Sequence, residues 1–504
     1  MTNHLFDYFR SRLPRLERTF IETADGRTIS YGELVTRSAR VAGALAALGV
    51  EPGNRVAVQA EKSPAFLDLY LGCVRAGAAF LPLNTAYTPA EIEYFLDDAE
   101  PSLFVCDPAK RAALEPIARA KRVPRIETLG ADEGGTVSVR CAASAGSFAD
   151  VARAAGDIAA ILYTSGTTGR SKGAMLTHEN LRSNAAALVD CWHFTARDVL
   201  IHALPVYHTH GLFVATNVVL AAGAAMIFLR KFDADLIVTL FARATSMMGV
   251  PTFYTRLLQH PGLTKEAARG IRLFVSGSAP LLADTHREWQ QRTGHAILER
   301  YGMTETGMNT SNPYDGERLA GAVGLPLPGV EIRVTEPETG AAVPAETIGM
   351  IEVRGPNVFA GYWRMPDKTK AEFRADGFFV TGDLGKIDAK GYLHIVGRGK
   401  DLIISGGFNV YPKEVESEID ALPGVVESAV VGVPHADFGE AVTAVVVKQS
   451  AAKLSEADVL AALAQRLAKF KLPKRVIFVP DLPRNTMGKV QKNALRDRYR
   501  KLYQ

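Results

Sequence analysis

The sequence predicts an α/β protein. A large multi-layer N-terminal domain of mixed sheets and helices (residues 1–397) is expected to precede a small α+β C-terminal domain (402–504), with the boundary at 398–401. Three observations carry this expectation. A chain of 504 residues is too long for one ordinary hydrophobic core, so two or more domains are the starting point. Short apolar runs alternate with helical patterns along most of the length, which argues for α/β layers with much parallel sheet. The compact polar run Gly397-Arg398-Gly399-Lys400-Asp401 then separates two apolar strands, and a new α+β pattern begins beyond it.

Arg55–Gln59 reads as a strand and Ala65–Ala76 as the helix that follows it. Ala79–Leu83 is a second strand, and Thr88–Asp97 a helix with Glu91 among its first residues. Ile158–Tyr163 is an apolar strand running into a Ser/Thr/Gly-rich loop, and Ala174–Leu176 is the strand after it. Thr177 can cap a helix starting near His178, with Glu179 in its first turn. Gly349–Asp388, rich in Gly, Asp and aromatics, reads as short strands and turns. Beyond the boundary a helix begins near Pro412, a residue suited to a first helical position. Strands follow at Glu427–Val433 and Ala441–Val447, then a helix over Ser455–Lys469 and a last strand at Arg475–Val479.

Composition narrows the function classes. Hydrophobic residues make up 47% and charged residues 22%, as in an ordinary globular protein. A net charge of +4, from 58 basic and 54 acidic residues, is too near neutral to imply nucleic-acid binding. Cys73, Cys106, Cys141 and Cys191 are widely spaced, with no C-x-x-C pair, so neither a paired-cysteine zinc site nor a disulfide framework is expected. No apolar run approaches the ~20 residues needed to span a bilayer. Val214–Phe228, interrupted by Asn217 and Gly223, reads as buried core. The N-terminal residues lack the unbroken apolar stretch of a signal peptide. A cytoplasmic protein with reduced thiols is expected.

The most informative stretch is Thr164-Ser165-Gly166-Thr167-Thr168-Gly169-Arg170-Ser171-Lys172. Glycines open backbone conformations that let several amide N–H groups point into one concavity. The hydroxyls add donors and Lys172 adds a cation, a set suited to polyphosphate. It is not a Walker A loop, because no Gly-Lys-Ser/Thr opens a helix there. Composition alone leaves a flexible surface loop equally open.

Extended to Tyr163 and Gly173, this run resembles the signature of the acyl-adenylate-forming enzymes, which include acyl-CoA synthetases, peptide-synthetase adenylation domains and beetle luciferases. Thr28–Leu34, Gly77–Asn84, Tyr301-Gly302-Met303-Thr304-Glu305, Thr381-Gly382-Asp383, Gly397–Asp401 and Pro483–Lys489 are similar to further motifs of that family, in the family's order. The resemblance covers nearly the whole chain. It implies a two-step reaction with ATP, Mg²⁺ and coenzyme A, in which the small domain rotates about a hinge at Lys400 between steps.

The resemblance also implies roles. Asp383 would accept hydrogen bonds from both ribose hydroxyls and Arg398 would be a second ribose contact. Gly277-Ser278-Ala279 and Tyr301 would form the adenine pocket, with the Tyr301 ring over the base, and Gly302 and Met303 would also bind the nucleotide. Thr304 would hold the α-phosphate and Glu305 would be the Mg²⁺ carboxylate. Lys489 would enter the site for the first half-reaction only, stabilising charge between carboxylate and α-phosphate. Gly406 and Gly407 would face the pantetheine tunnel after rotation. His208 and His210 would line the acyl pocket. Lys489 is also where a lysine acetyltransferase and a deacetylase would switch the first step.

Within the family the chain looks most like the malonyl-CoA synthetases, on the stretch Leu298–Glu305. A dicarboxylic acid keeps one carboxylate ionised while the other reacts, and burying that charge is costly unless a cation pairs with it. Arginine suits the task because its planar fork binds carboxylates bidentately. Arg300 and Arg256 stand at the places implied for the acyl pocket, and malonate, with methylmalonate beside it, is the expected substrate. The alternatives are a synthetase for another small, aromatic or medium-chain acid, and a free-standing adenylation protein that loads a carrier-protein thiol. A non-enzymatic nucleotide-binding protein would not need both Glu305 and Lys489.

Overall fold

The structure, a computed structural model, describes residues 2–164, 171–405, 408–485 and 488–503. Its α/β architecture is a large N-terminal part built on several sheets and a smaller C-terminal α+β part.

The first wall of the large part is a seven-stranded sheet. Its strands run in the order 361–362, 172–177, 158–164, 79–82, 55–59, 103–106 and 125–128. The inner members pair in parallel: Arg55 lies opposite Ala79, and Val56 opposite Leu103. Helices Pro64–Ala76 and Pro89–Ala99 supply the crossovers. Pro64 occupies a first helical position, where the missing N–H costs nothing, and left-handed Gly77 (φ 73°) ends the helix. Nearly every residue of this helix is buried, and its two charged residues, Asp68 and Arg75, are paired with Arg37 and Asp150.

A nine-stranded sheet forms the second wall, in the order 325–326, 307–311, 298–303, 273–276, 246–249, 199–202, 225–228, 19–23 and 28–30. The two walls share one continuous core. Helix His178–Cys191 starts at Thr177, whose hydroxyl accepts from the Asn180 N–H, while the Asn180 side chain accepts from the Thr177 N–H. The apolar run 214–228 is buried core, as its composition predicts. It divides into a π-helical turn His210–Thr216, a helix Asn217–Ala222 and a strand Ala225–Phe228. A π turn widens the helix by a residue and is a frequent companion of functional sites; this one begins at His210.

An antiparallel four-stranded sheet (331–335, 349–354, 379–387, 393–398) completes the large part. The stretch 349–388 is not all strand and turn, because Pro366–Ala371 forms a short helix begun by proline. The last strand of this sheet ends at Arg398. The next, Ile403–Ser405, already belongs to a separate five-stranded sheet with 408–410, 425–435, 439–448 and 475–478. Helix Glu456–Ala464 is shorter than the pattern 455–469 suggests. The chain turns at Gln465, and Lys469–Lys471 forms a separate tight turn. Among the described residues no helix is long and apolar enough to cross a membrane.

Candidate active site

Four segments converge where the nine-stranded sheet meets the four-stranded one. The strand Leu298–Met303 turns at Thr304-Glu305-Thr306 into Gly307–Ser311, so Thr304 and Glu305 sit at a hairpin tip. Gly302 is required there, since a Cβ on it would stand 2.1 Å from the Gly307 carbonyl oxygen. Side chains alternate across a strand, and this strand uses both faces. Tyr301 turns toward Asp383, and Arg300 turns toward Gly277 and the histidine loop.

On the first face, the Tyr301 hydroxyl donates to Asp383 Oδ2 at 2.6 Å, and Arg398 Nε meets Asp383 Oδ1 at 2.6 Å. Asp383 and Arg398 are register partners on adjacent strands, which fixes that ion pair. Asp383 is buried, and its backbone N–H is held by the Thr381 hydroxyl at 3.0 Å. The Asp383 charge holds Arg398 above its ordinary value, while burial pushes the Tyr301 phenol far up. Each carboxylate oxygen keeps a second lone pair, so Asp383 can still accept a further donor at each.

Lys489 lies beside this group. Burial lowers its pKa, and the Arg398 charge adds to that; Asp383 opposes it. Solvent still reaches the side chain, so the cleft walls it without drying it, and the downward push is correspondingly softened. Its charge is felt by His208. A Cβ on the neighbouring Gly488 would touch Thr252 at 3.3 Å, which brings the Lys489 loop against helix Pro251–Leu258. Lys400 follows Arg398 on an exposed turn, where Asp401 pairs with Arg496 at 2.7 Å.

At the hairpin tip, the Glu305 carboxyl is buried and its pKa is raised, chiefly by desolvation. Tyr362 Oη lies 3.1 Å from Glu305 Oε1 and 2.7 Å from Glu372 Oε2, and Lys172 Nζ lies 3.3 Å from Glu372 Oε1. One phenolic hydrogen cannot serve two carboxylates, so Glu305 Oε1 can still accept from a further donor. Lys172 is the register partner of Thr164 across the mouth of the loop between them, and its ammonium rests 4.1 Å from the Tyr362 ring centroid. Ser165, Gly166, Thr167, Thr168 and Gly169 of that loop, like Gly406 and Gly407, lie outside the described residues.

On the other face, Arg300 is 4% exposed, and its Nε and Nη2 have no hydrogen-bond partner. Among the described residues no carboxylate faces it; the one group that pulls its pKa upward is the Tyr254 phenol. Burial lowers Arg300 to about 9. The guanidinium lies against Gly277, where a Cβ would stand 2.5 Å from Cζ. Ser278 follows in a left-handed conformation (φ 72°) unusual for a side chain. Its hydroxyl meets His210 Nδ1 at 3.2 Å. His210 Nε2 is a further buried polar atom without a partner. Burial first and the Arg300 charge second push His208 down to about 4 and His210 well below its ordinary value, so both rings are neutral near pH 7. Ala279 is half-buried after Ser278.

Arg256 does not join this enclosure, which corrects the two-arginine expectation. On helix Pro251–Leu258 the buried positions are Tyr254, Leu257 and Leu258. At 100° per residue position 256 falls on the other side. Arg256 is exposed, and its guanidinium lies 5.9 Å from the Phe232 ring centroid.

Sequence reasoning missed Tyr362 and Glu372, which tie Glu305 to Lys172. It also missed Glu299, beside Arg300, whose Oε1 accepts from the Gly321 N–H at 3.1 Å. Burial raises the Glu299 carboxyl from 4.5 to about 8. Between those values the folded chain keeps a proton that the unfolded chain has released, so this group destabilises the fold increasingly as pH rises across that window. Glu299→Gln is therefore expected to gain in Tm relative to the parent by about 2–4 °C or more between about pH 5 and pH 8. A constant Tm difference across that range would contradict the assignment.

Comparison with known proteins places the chain. Residues 11–363 match the model of the AMP-binding enzymes, and residues 414–489 match that of the AMP-binding enzyme C-terminal domain. The chain belongs to the AMP-binding enzyme family. Among curated family members, a malonate–CoA ligase of Arabidopsis thaliana is 36% identical over 94% of this chain and 85% of its own length. A feruloyl-CoA synthase of Amycolatopsis is also 36% identical, over 94% of each. Among solved structures of AMP-binding enzymes, ATP-bound MatB from Rhodopseudomonas palustris is 65% identical over the whole of both chains, with a TM-score of 0.98. Apo MatB gives 0.86.

Proposed function

We propose that this AMP-binding enzyme is an ATP-dependent malonate–CoA ligase: it converts malonate to malonyl-adenylate, then to malonyl-CoA, releasing pyrophosphate and AMP. One observation carries the choice of acid. Arg300 is a buried guanidinium whose Nε and Nη2 are unpartnered, and among the described residues no carboxylate lies opposite it. A buried unpaired cation is costly, and the second carboxylate of malonate supplies the missing anion in a bidentate geometry. Relatives named for malonate and for ferulate are equally similar in sequence; a neutral aromatic tail would leave Arg300 unpaired. Methylmalonate fits the same scheme, because its added methyl leaves both carboxylates in place.

In the first step the other carboxylate attacks the α-phosphorus of ATP and pyrophosphate leaves. Asp383 and Arg398 would hold the ribose, and Gly277, Ser278, Ala279 and Tyr301 the adenine, with Gly302 and Met303 shaping the strand. The loop from Thr164 to Lys172, including Ser165, Gly166, Thr167, Thr168 and Gly169, would cradle the β- and γ-phosphates. Thr304 would donate to the α-phosphate. Lys489, within charge range of both Asp383 and His208, would bridge the attacking carboxylate and the α-phosphate. Glu305, a buried carboxyl at the hairpin tip, would hold Mg²⁺ together with phosphate oxygens, the arrangement usual for this ion; when bound, Mg²⁺ supplies compensation for charge on the leaving pyrophosphate.

For the second step, residues 402–504 would turn about Lys400, withdrawing Lys489 and bringing Gly406 and Gly407 to the path of the CoA thiol, which attacks the acyl carbon and expels AMP. Neutral His208 and His210 would line the acid without competing for its charge. Solvent-reachable Lys489 is open to acetylation, which would silence the first step, with a deacetylase restoring it. The free thiols of Cys73, Cys106, Cys141 and Cys191 suit a cytoplasmic enzyme.

The test is AMP release by purified protein with ATP, Mg²⁺ and CoA, comparing malonate, methylmalonate, succinate, acetate, octanoate and 4-coumarate. Malonate is expected to lead by orders of magnitude in kcat/KM, with malonyl-CoA as product. A monocarboxylate in first place would overturn the assigned acid. Adenylation of malonate without transfer to CoA would point instead to loading of a carrier-protein thiol.

A further inference from the structure

Lys62 is a second buried cation, remote in sequence from every motif above. It is 7% exposed, and among the described residues no carboxylate lies within ion-pair distance of it. Its Nζ instead meets three acceptors: the His202 carbonyl at 2.9 Å, the Leu204 carbonyl at 2.8 Å and His202 Nδ1 at 3.0 Å. The Phe228 ring centroid lies 4.2 Å away on another side.

The neighbours of His202 fix the protons. His202 Nε2 lies 2.8 Å from the Gly211 carbonyl oxygen, which can only accept, so Nε2 carries hydrogen. The Thr216 hydroxyl donates to the same carbonyl at 3.0 Å. The two carbonyls beside Lys62 likewise require hydrogens from Nζ. One proton then lies between Nζ and Nδ1, and the Lys62–His202 pair carries one positive charge whichever atom holds it. Burial pushes both groups well below their ordinary values, but neither can release that proton without leaving two lone pairs facing each other.

The position of the pair matters as much as its charge. Through His202 and Leu204 it grips the start of the segment 203–211, and through the His202 ring it grips Gly211 at the segment's end. That segment carries His208 and His210 to the Arg300 side of the site, and the His202 and Arg300 charges both act on His210. Gly211 has no slack, because a Cβ there would stand 2.0 Å from the Pro205 carbonyl oxygen.

We infer that Lys62 is a positioning residue for substrate selection: through His202 it pins both ends of the histidine loop and, as a buried positive charge without a counter-ion among the described residues, it favours an acid carrying a second carboxylate. The inference rests on the malonate reading above. Charges in a dry interior are little screened, so the pair adds to the Arg300 potential without touching the substrate.

The experiment measures wild type, Lys62→Met and Thr216→Val with malonate and with propionate, in which a methyl replaces the second carboxylate, while following the KM for ATP. Lys62→Met keeps the length and removes charge and donors. It is expected to raise the malonate KM on the order of 10-fold or more, with the propionate kcat/KM and the ATP KM changed by less than about 3-fold. Thr216→Val, a small change at the Gly211 carbonyl, is expected to raise the malonate KM about 3-fold, again without affecting propionate. If wild type does not prefer malonate, the assigned acid is wrong. If wild type prefers malonate but Lys62→Met keeps the same malonate-to-propionate ratio, or loses both acids equally, the role given to Lys62 is wrong. Should Lys62→Met fail to fold, an unchanged malonate KM in Thr216→Val overturns the proposal by itself.

Discussion

Arg300→Gly is expected to lower kcat/KM for malonate on the order of 10²-fold or more, while propionate is turned over at least as well as by the parent. Charge-assisted hydrogen bonds contribute ~1.5–3 kcal/mol each, and the guanidinium can offer two through Nε and Nη2, both unpartnered in the structure. The loss exceeds those bonds alone, because the second carboxylate would enter a buried pocket with no cation to meet it. Removing Arg300 also relieves an electrostatic cost in the free protein, so the variant is expected to be no less stable than an ordinary large-to-small core change allows. Steady-state kinetics with both acids decide the matter. Unchanged malonate kinetics would remove Arg300 from the pocket; an equal fall for both acids would make it structural. Arg300→Lys should recover only part of the activity, since a point charge lacks the planar fork.

The second large effect concerns Lys489. Lys489→Ala should cut malonyl-adenylate formation on the order of 10²–10³-fold and leave conversion of supplied acyl-adenylate to thioester within about 3-fold of the parent. The asymmetry follows from placement. Lys489 lies beside Asp383 and Arg398 and acts on His208, where it can bridge nucleotide and acid, and its neighbour Gly488 lies so near Thr252 of the large part that an added Cβ would touch it. The arrangement matches ATP-bound MatB more closely than apo MatB. Pyrophosphate exchange reports the first half-reaction and thioester formation the second. Equal loss of both would contradict a loop that serves one step only.

Much of this could be read from the sequence, for reasons that differ between elements. The strand Arg55–Gln59 and the helix after Ser63 announce themselves by apolar content and by punctuation from proline and glycine. Thr177 could be placed as a cap because a local hydrogen-bond pattern has a local sequence signature. The helix Pro366–Ala371 escaped because its residues are polar and it lies between glycines and aromatics that favour strands and turns. In the candidate site, Asp383, Glu305 and Lys489 could be singled out because each lies in a contiguous motif. Lys62, His202, Tyr362 and Glu372 could not, since each acts through a partner distant in sequence. A faint signal existed for Lys62: a cation just before a largely apolar helix, Pro64–Ala76, with no acidic residue on its first turn. Arg256 was misplaced because proximity in sequence to a pocket-lining segment does not say on which side of a helix a residue falls.

One strand, Leu298–Met303, turns Arg300 toward the enclosure proposed for the acid and Tyr301 toward Asp383 on the opposite face. The two proposed sites are thus adjacent in the chain yet face opposite ways from one strand. On that assignment, an exchange at position 300 is expected to retune the choice of acid while Tyr301, Asp383 and Arg398 keep their mutual contacts.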